Sequence, residues 1–185
     1  MSNRRRIYFA TPIFLLLFLI IVPTAFGAQK TIYEYDSTYH HIRVVEEGSI
    51  RGLKFDNNYW QSKMDLNDPL AGQFGYISLF FDSFLFKSDI ENVLMLGLGG
   101  GSVQKQFHHY RPDLKLLSVE LDPAVLDVAE RFFYLDSEAV PVKISDARSY
   151  LNSSRDKYDL IIQDTYSSNT YGTFIPFHLA TKEFF

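Results

Sequence analysis

Between Asn92 and Asp164 four apolar runs, "NVLMLGL", "LKLLSVEL", "VPVKISD" and "YDLIIQD", alternate with three segments of helical spacing, "SVQKQFHHY", "PAVLDVAERFF" and "ARSYLNSS". A strand that is apolar throughout is buried on both faces, and strands separated by helices return in the same direction. The pattern therefore predicts a parallel, doubly wound α/β sheet with helices on both sides. Sheets of this kind bind ligands beyond the carboxyl ends of their strands. Those ends carry Gly97 to Gly101, Glu120 with Asp122, Asp146, and Asp164.

Upstream the rhythm is different. "TIYEYDSTYHHIRVVEEGSIRGLKFD", residues 31–56, alternates apolar and polar residues in runs broken by "DST" and "EEGS", which predicts three short antiparallel strands. "NNYWQSKMDLNDP" reads as a polar, turn-rich linker ending at Pro69. Gln73 to Phe86 has apolar spacings that fit a buried helix, although its aromatics leave a strand open. The expected division is a small β domain over 28–70 and a Rossmann-like unit over 71–185.

Residues 1–27 show the order of a secretory signal: Arg4, Arg5 and Arg6, an apolar run from Ile13 to Val22, then Pro23 and small residues before Ala28. A cut before Ala28 fits this pattern; an uncleaved membrane anchor is the alternative, since Ile7 to Phe26 approaches the roughly 20 residues that cross a bilayer. Either way the body is expected to be exported, or tethered to the membrane by this segment, with the arginines kept inside.

Composition narrows the chemistry. Net charge is −4 and no basic block follows residue 30, which argues against nucleic acid as a partner. Cys is absent, so disulfides, thiolate metal sites and a Cys nucleophile are excluded. The pairs His40–His41 and His108–His109 are sequence neighbours, and neighbouring side chains diverge in strands and in helices, so no metal site is expected from them. Ser102, Ser145 and Ser149 belong to no recognisable hydrolytic set.

The apolar run "VLML" enters a turn rich in glycine, Gly97, Gly99, Gly100 and Gly101, which allows a sharp bend and close approach of a ligand to the backbone. Glu120 ends the next strand, about 20 residues on, where an acid can accept both hydrogen bonds of a ribose diol. The spacing serves two cofactor types. A dinucleotide turn would need Ser102 as its third small residue; an adenosylmethionine-type turn needs no pyrophosphate site and uses an acid after the third strand, where Asp146 stands. Asp146 equally suits the N-cap of the helix after it. Asp164 ends the fourth strand facing the same crevice, placed to take a proton from an amine or to hold a cation.

With "YHHIRVVE", "QSKMDLNDP", "FGYISL", "VLMLGLGGGSV", "SVELDP", "SDARSYL", "YDLIIQDTYSS" and "IPFHLATKEFF" in this order, residues 31–185 resemble the spermidine synthase family of polyamine aminopropyltransferases, in its bacterial spermidine-synthase-like branch. The resemblance implies a small antiparallel β domain followed by a methyltransferase-like Rossmann domain. It implies transfer of an aminopropyl or related group from an adenosyl-sulfonium donor of the decarboxylated S-adenosylmethionine type to a small-molecule amine. No tightly bound cofactor and no metal are implied, and a homodimer is left open. Carried over residue by residue, Asp164 and Tyr76 fall at the reaction centre. Gly97, Gly99, Gly101, Glu120, Asp122, Asp146, Ala147 and Gln61 fall at the donor site, with Glu120 on the ribose and Asp146 with Ala147 on the adenine. The family continues past the point matching Phe185, so the Rossmann unit is expected to be incomplete there, with an open sheet edge.

The chain departs from the family at several positions. Gly100 stands where "GGGDGG" carries an aspartate for the donor ammonium, and Ser167 where the D-S-x-D-P motif carries its second aspartate. Ile77 and Ser78 replace a polar pair after the tyrosine, and His40 replaces a glutamine. Three carboxylates that would meet a polyamine are thereby absent. An exported, non-catalytic homologue that binds a nucleoside or a protein is the alternative reading, and an NAD-dependent oxidoreductase a further one.

Overall fold

The structure, a computed structural model, describes residues 28–56, 59–169 and 172–185. The secretory-signal or anchor reading of residues 1–27 lies outside them. Among the described residues no helix is long and apolar enough to cross a membrane.

The chain opens with an antiparallel meander, β1 (Lys30–Asp36), β2 (His41–Glu47), β3 (Ile50–Lys54) and β4 (Trp60–Asp65), paired in sequence order. Three of these strands follow the alternation expected of residues 31–56. The fourth corrects the reading of "NNYWQSKMDLNDP" as a linker: Ser62 and Met64 are buried while Gln61 and Lys63 are only partly so. The two-residue period was present, but one inward position is a serine, which hydrophobicity alone does not mark as buried.

The expectation of a buried helix over Gln73–Phe86 also needs correcting. The segment forms a 3-10 turn, Ile77–Asp82, and a single helical turn, α1 (Ser83–Phe86). Phe81 and Phe84 meet Phe107 edge-on, at ring-centroid distances of 4.6 and 5.9 Å. Leu79, Leu85 and Phe86 are 62, 82 and 91% exposed. Because "ISLFFDSFLF" is apolar nearly all round, no period in it selects an inward face.

The second half is the parallel, doubly wound unit that the strand–helix alternation predicts. β5 (Asn92–Leu96), α2 (Ser102–Tyr110), β6 (Lys115–Glu120), α3 (Pro123–Phe133), β7 (Val142–Ile144), α4 (Ala147–Ser153) and β8 (Leu160–Gln163) follow one another, with strand order β7-β6-β5-β8. Asp122 caps α3 by accepting the Ala124 N–H at 2.9 Å, with Pro123 at the first helical position. Asp146 caps α4 through the Ser149 N–H at 2.8 Å. At the opposite end of the sheet Asp159 accepts the N–H groups of Glu91 and Asn92, setting β8 against β5. After β8 comes a short hairpin the sequence did not suggest, β9 (Ser167–Asn169) with β10 (Gly172–Phe174), and then a 3-10 turn, Phe177–Leu179.

The two sheets share one core. Ile42, Leu53 and Met64 of the meander lie in the same buried cluster as Val93, Phe107 and Phe133. Their junction includes a polar patch at the carboxyl end of α3, where Tyr134 adopts left-handed φ of 58° and the last carbonyls are left without helical partners. Arg51 of β3 donates to the Phe132 carbonyl at 2.9 Å and is held by Glu46 on β2. Lys105 of α2 donates to the Phe133 carbonyl at 2.6 Å. Two cations thus cover the negative end of one helix dipole. Burial without a carboxylate partner lowers the Lys105 pKa to about 8.

Two outcomes follow. Arg51→Met removes a charge-assisted bond between the sheets and should cost about 1.5–3 kcal/mol of stability in urea denaturation. Lys105 binds its proton more weakly in the fold than in the unfolded chain, so stability should rise with pH from about 8 towards the ordinary lysine range. That rise should vanish in Lys105→Gln, as read by unfolding midpoints across the range.

Candidate functional site

The carboxyl ends of β5, β6 and β8, together with α4 and β4, surround a cavity of about 280 Å³. Its floor is the glycine turn. Gly97 has φ of +99°, and a Cβ there would stand 2.3 Å from the Asp164 carbonyl oxygen; Gly99 has φ of +56°, and its Cβ would stand 2.7 Å from Ser62 Oγ. Both positions need glycine for conformation and for space. The turn is fastened on three sides. The Gly97 N–H donates to the Val119 carbonyl at 2.8 Å, the Leu98 N–H to Glu120 Oε2 at 3.0 Å, and the Gly100 N–H to Ser62 Oγ at 2.7 Å.

Glu120, 9% exposed, ends β6 beneath this turn. Its Oε1 accepts the Asp122 N–H at 2.9 Å. Burial raises its pKa to about 7, against the pull of the backbone N–H groups of Asp122, Leu121 and Leu98. A carboxylate has about four acceptor positions, more than these backbone N–H groups fill, so acceptor capacity remains for a ligand's hydroxyls.

Asp146 and Ala147 line the cavity beyond Glu120. Of the two uses expected of Asp146 the cap is present, with Oδ1 accepting the Ser149 N–H, while Oδ2 faces His178 Nε2 at 2.9 Å. Burial raises its pKa, but the Ser149 N–H and His178 outweigh that effect and hold the carboxyl below its usual range. Arg148 in turn fixes the His178 carbonyl at 2.7 Å.

At the other end Tyr76 Oη donates to Asp164 Oδ2 at 3.4 Å. Burial raises the Asp164 pKa, moderated by the Tyr76 hydroxyl. Burial and then the neighbouring Asp164 charge push the Tyr76 phenol up, so it stays protonated as a donor. Phe74 stacks on Tyr76 with ring centroids 5.8 Å apart and Tyr166 neighbours Asp164, while Tyr39, His40 and Phe55 also line the cavity. His40 stacks on Phe55 with ring centroids 4.1 Å apart.

Of the residues singled out from sequence, Tyr76, Gly97, Gly99, Glu120, Asp146, Ala147, Asp164 and Gln61 all line this one cavity. Gly101 and Asp122 do not. Gly101 faces Leu135, and Asp122, 1% exposed, is occupied by capping α3 and by the hydroxyl of Ser37. Sequence reasoning missed Ser62, His178 and Tyr166. Ser62 lay in the supposed linker, and His178 meets Asp146 across 32 residues. Among the described residues no group of three or more His, Cys, Asp or Glu side chains could hold a metal ion.

The spermine/spermidine synthase domain model matches residues 76–179, more than half of the chain and all of this cavity's Rossmann side. Polyamine aminopropyltransferases of Vibrio vulnificus and Chromobacterium violaceum are each 33% identical to the chain, over 93% and 78% of it and over 59% and 54% of their own lengths. The chain thus spans somewhat over half the length of these two relatives. Among solved structures, a probable spermidine synthase from Corynebacterium glutamicum aligns with a TM-score of 0.67 at 21% identity, covering 82% of this chain and 57% of that one. A spermidine synthase in complex with the transition-state analogue AdoDATO aligns with a TM-score of 0.64 at 19% identity, over 84% of this chain and 52% of that one. The four-stranded meander and the parallel sheet are the fold of these structures, and the match to the domain model over residues 76–179 makes this chain a member of the spermine/spermidine synthase domain family.

Proposed function

We propose that the site transfers an aminopropyl or related group from an adenosyl-sulfonium of the decarboxylated S-adenosylmethionine type to an amine. The observation that carries this reading is the continuity of one cavity between Glu120 and Asp146 at one end and the Tyr76–Asp164 pair at the other. The first end offers two acidic acceptors, suited to a ribose diol and an exocyclic amino group. The second offers a carboxylate and ring faces, suited to a cation and to a proton leaving nitrogen.

In the reaction the amine reaches the cavity as an ammonium and passes one proton through Asp164 and water to solvent, which leaves Asp164 ionised. The nitrogen lone pair then forms a bond to the carbon beside the sulfonium. The carbon–sulfur bond breaks with its electron pair on sulfur, which becomes a neutral thioether. The new secondary ammonium carries the positive charge that the sulfonium lost. Asp164 holds that charge, and Tyr76 orients the Asp164 carboxylate while remaining protonated. The body performing this reaction is proposed to lie outside the cytoplasm, carried there by residues 1–27; alkaline phosphatase fused after residue 30 should be active in cells, and an inactive fusion would refute export.

Glu120 gives this reading a pH signature. Its carboxyl releases its proton near 7 in the fold, against 4.5 ordinarily, so its burial costs nothing at low pH and destabilises increasingly as pH rises to 7. A diol donates to the ionised form, so nucleoside binding should strengthen over the same interval and level off above it. Methylthioadenosine should bind about tenfold more weakly at pH 6 than at pH 8 in calorimetric titration. Glu120→Gln should flatten that dependence and weaken binding by about 1.5–3 kcal/mol. Asp164→Asn should leave methylthioadenosine affinity unchanged while lowering the transfer rate by about a hundredfold or more, measured as thioether released per unit time.

A further inference from the structure

We propose that the amine accepted by this cavity is a monoamine with an apolar or aromatic body, in preference to a diamine; the inference rests on the transfer reading above. It follows from how the charges in the cavity are committed. Among the described residues three carboxylates line it, Glu120, Asp146 and Asp164, and no Lys or Arg does. Glu120 is partly occupied by backbone N–H groups beneath the glycine turn and Asp146 by the α4 cap and His178, and on the transfer reading the nucleoside takes the acceptor positions they have left. Asp164 alone faces the Tyr76 end with a single partner, a long hydrogen bond of 3.4 Å. One ammonium can be paired there, and among the described residues no further lining carboxylate is free for a second.

The walls deny the second charge a partner by packing as well as by composition. At Gly100 a Cβ would stand 2.9 Å from Phe133 Cδ1 and 3.0 Å from Ser62 Cβ, so this face of the turn has no room for an acidic side chain. Ser167, in the cavity wall next to Tyr166, offers only a hydroxyl. Aromatic rings stand beside Asp164: Tyr76 donates to it, Tyr166 neighbours it, and Phe74 stacks on Tyr76 with ring centroids 5.8 Å apart, while Tyr39, His40 and Phe55 add further rings to the cavity lining. Rings cover an apolar body well and stabilise one adjacent cation through their faces. A second ammonium held among them loses water without gaining a countercharge, which is the costly case for a buried ion.

The test is calorimetric titration of the whole chain, saturated with methylthioadenosine, with 2-phenylethylamine and with putrescine, alongside a transfer assay using decarboxylated S-adenosylmethionine. The monoamine should bind at least tenfold more tightly than the diamine, and Ser167→Asp should move the ratio towards putrescine by about tenfold. If the monoamine preference is found but no methylthioadenosine is formed from the sulfonium donor with either amine, the transfer reading fails and the amine selectivity stands. Putrescine binding as tightly as phenylethylamine, or more tightly, overturns the selectivity whether or not transfer occurs. Binding of neither amine overturns both.

Discussion

The site depends on a glycine turn held down by a buried carboxylate. The Leu98 N–H reaches Glu120 at 3.0 Å from above, and the Asp122 N–H reaches the same side chain at 2.9 Å from below. One ionisable group therefore joins the end of β5, the end of β6 and the start of α3. Burying it is unfavourable in itself, which is why its pKa rises to about 7. The backbone donors offset part of that cost, and the side chain also lines the cavity. On the proposed function, structural fastening and ligand recognition divide the same four acceptor positions.

The meander contributes to this arrangement directly. Ser62 of β4 accepts the Gly100 N–H, and Gln61 beside it lines the cavity. Arg51 and Lys105 anchor the carboxyl end of α3, from which Phe133 closes the space over Gly100. The first sheet therefore shapes the second sheet's ligand turn. The absence of charge in "VLMLGLGGGSV" has the same origin: Ser62 and Phe133 occupy the volume that a charged side chain at position 100 would need.

Much of this was legible in the sequence because it rests on local rules. Continuous apolar runs marked β5, β6, β7 and β8; Pro123 and Asp122 marked the start of α3; Glu120, Asp146 and Asp164 were found because strand ends in a parallel sheet converge on one edge. The parts that were not legible depend on contacts between distant segments. Ser62 is buried for its hydrogen bond to Gly100, 38 residues away, so β4 looked like a linker. "ISLFFDSFLF" carries no usable period, and only its packing on Phe107 decides which rings turn inward. Asp122 looked like part of the ligand site because it follows Glu120 closely, yet its carboxylate is turned into the α3 cap and towards Ser37.

The central claim is that a nucleoside is bound by Glu120 in its ionised form. Calorimetry of methylthioadenosine binding at pH 7 in two buffers of different ionisation enthalpy counts the protons exchanged. With a pKa of about 7 in the free protein, Glu120 is half protonated at that pH, so binding should release about half a proton per site. Binding without any proton release would contradict the account.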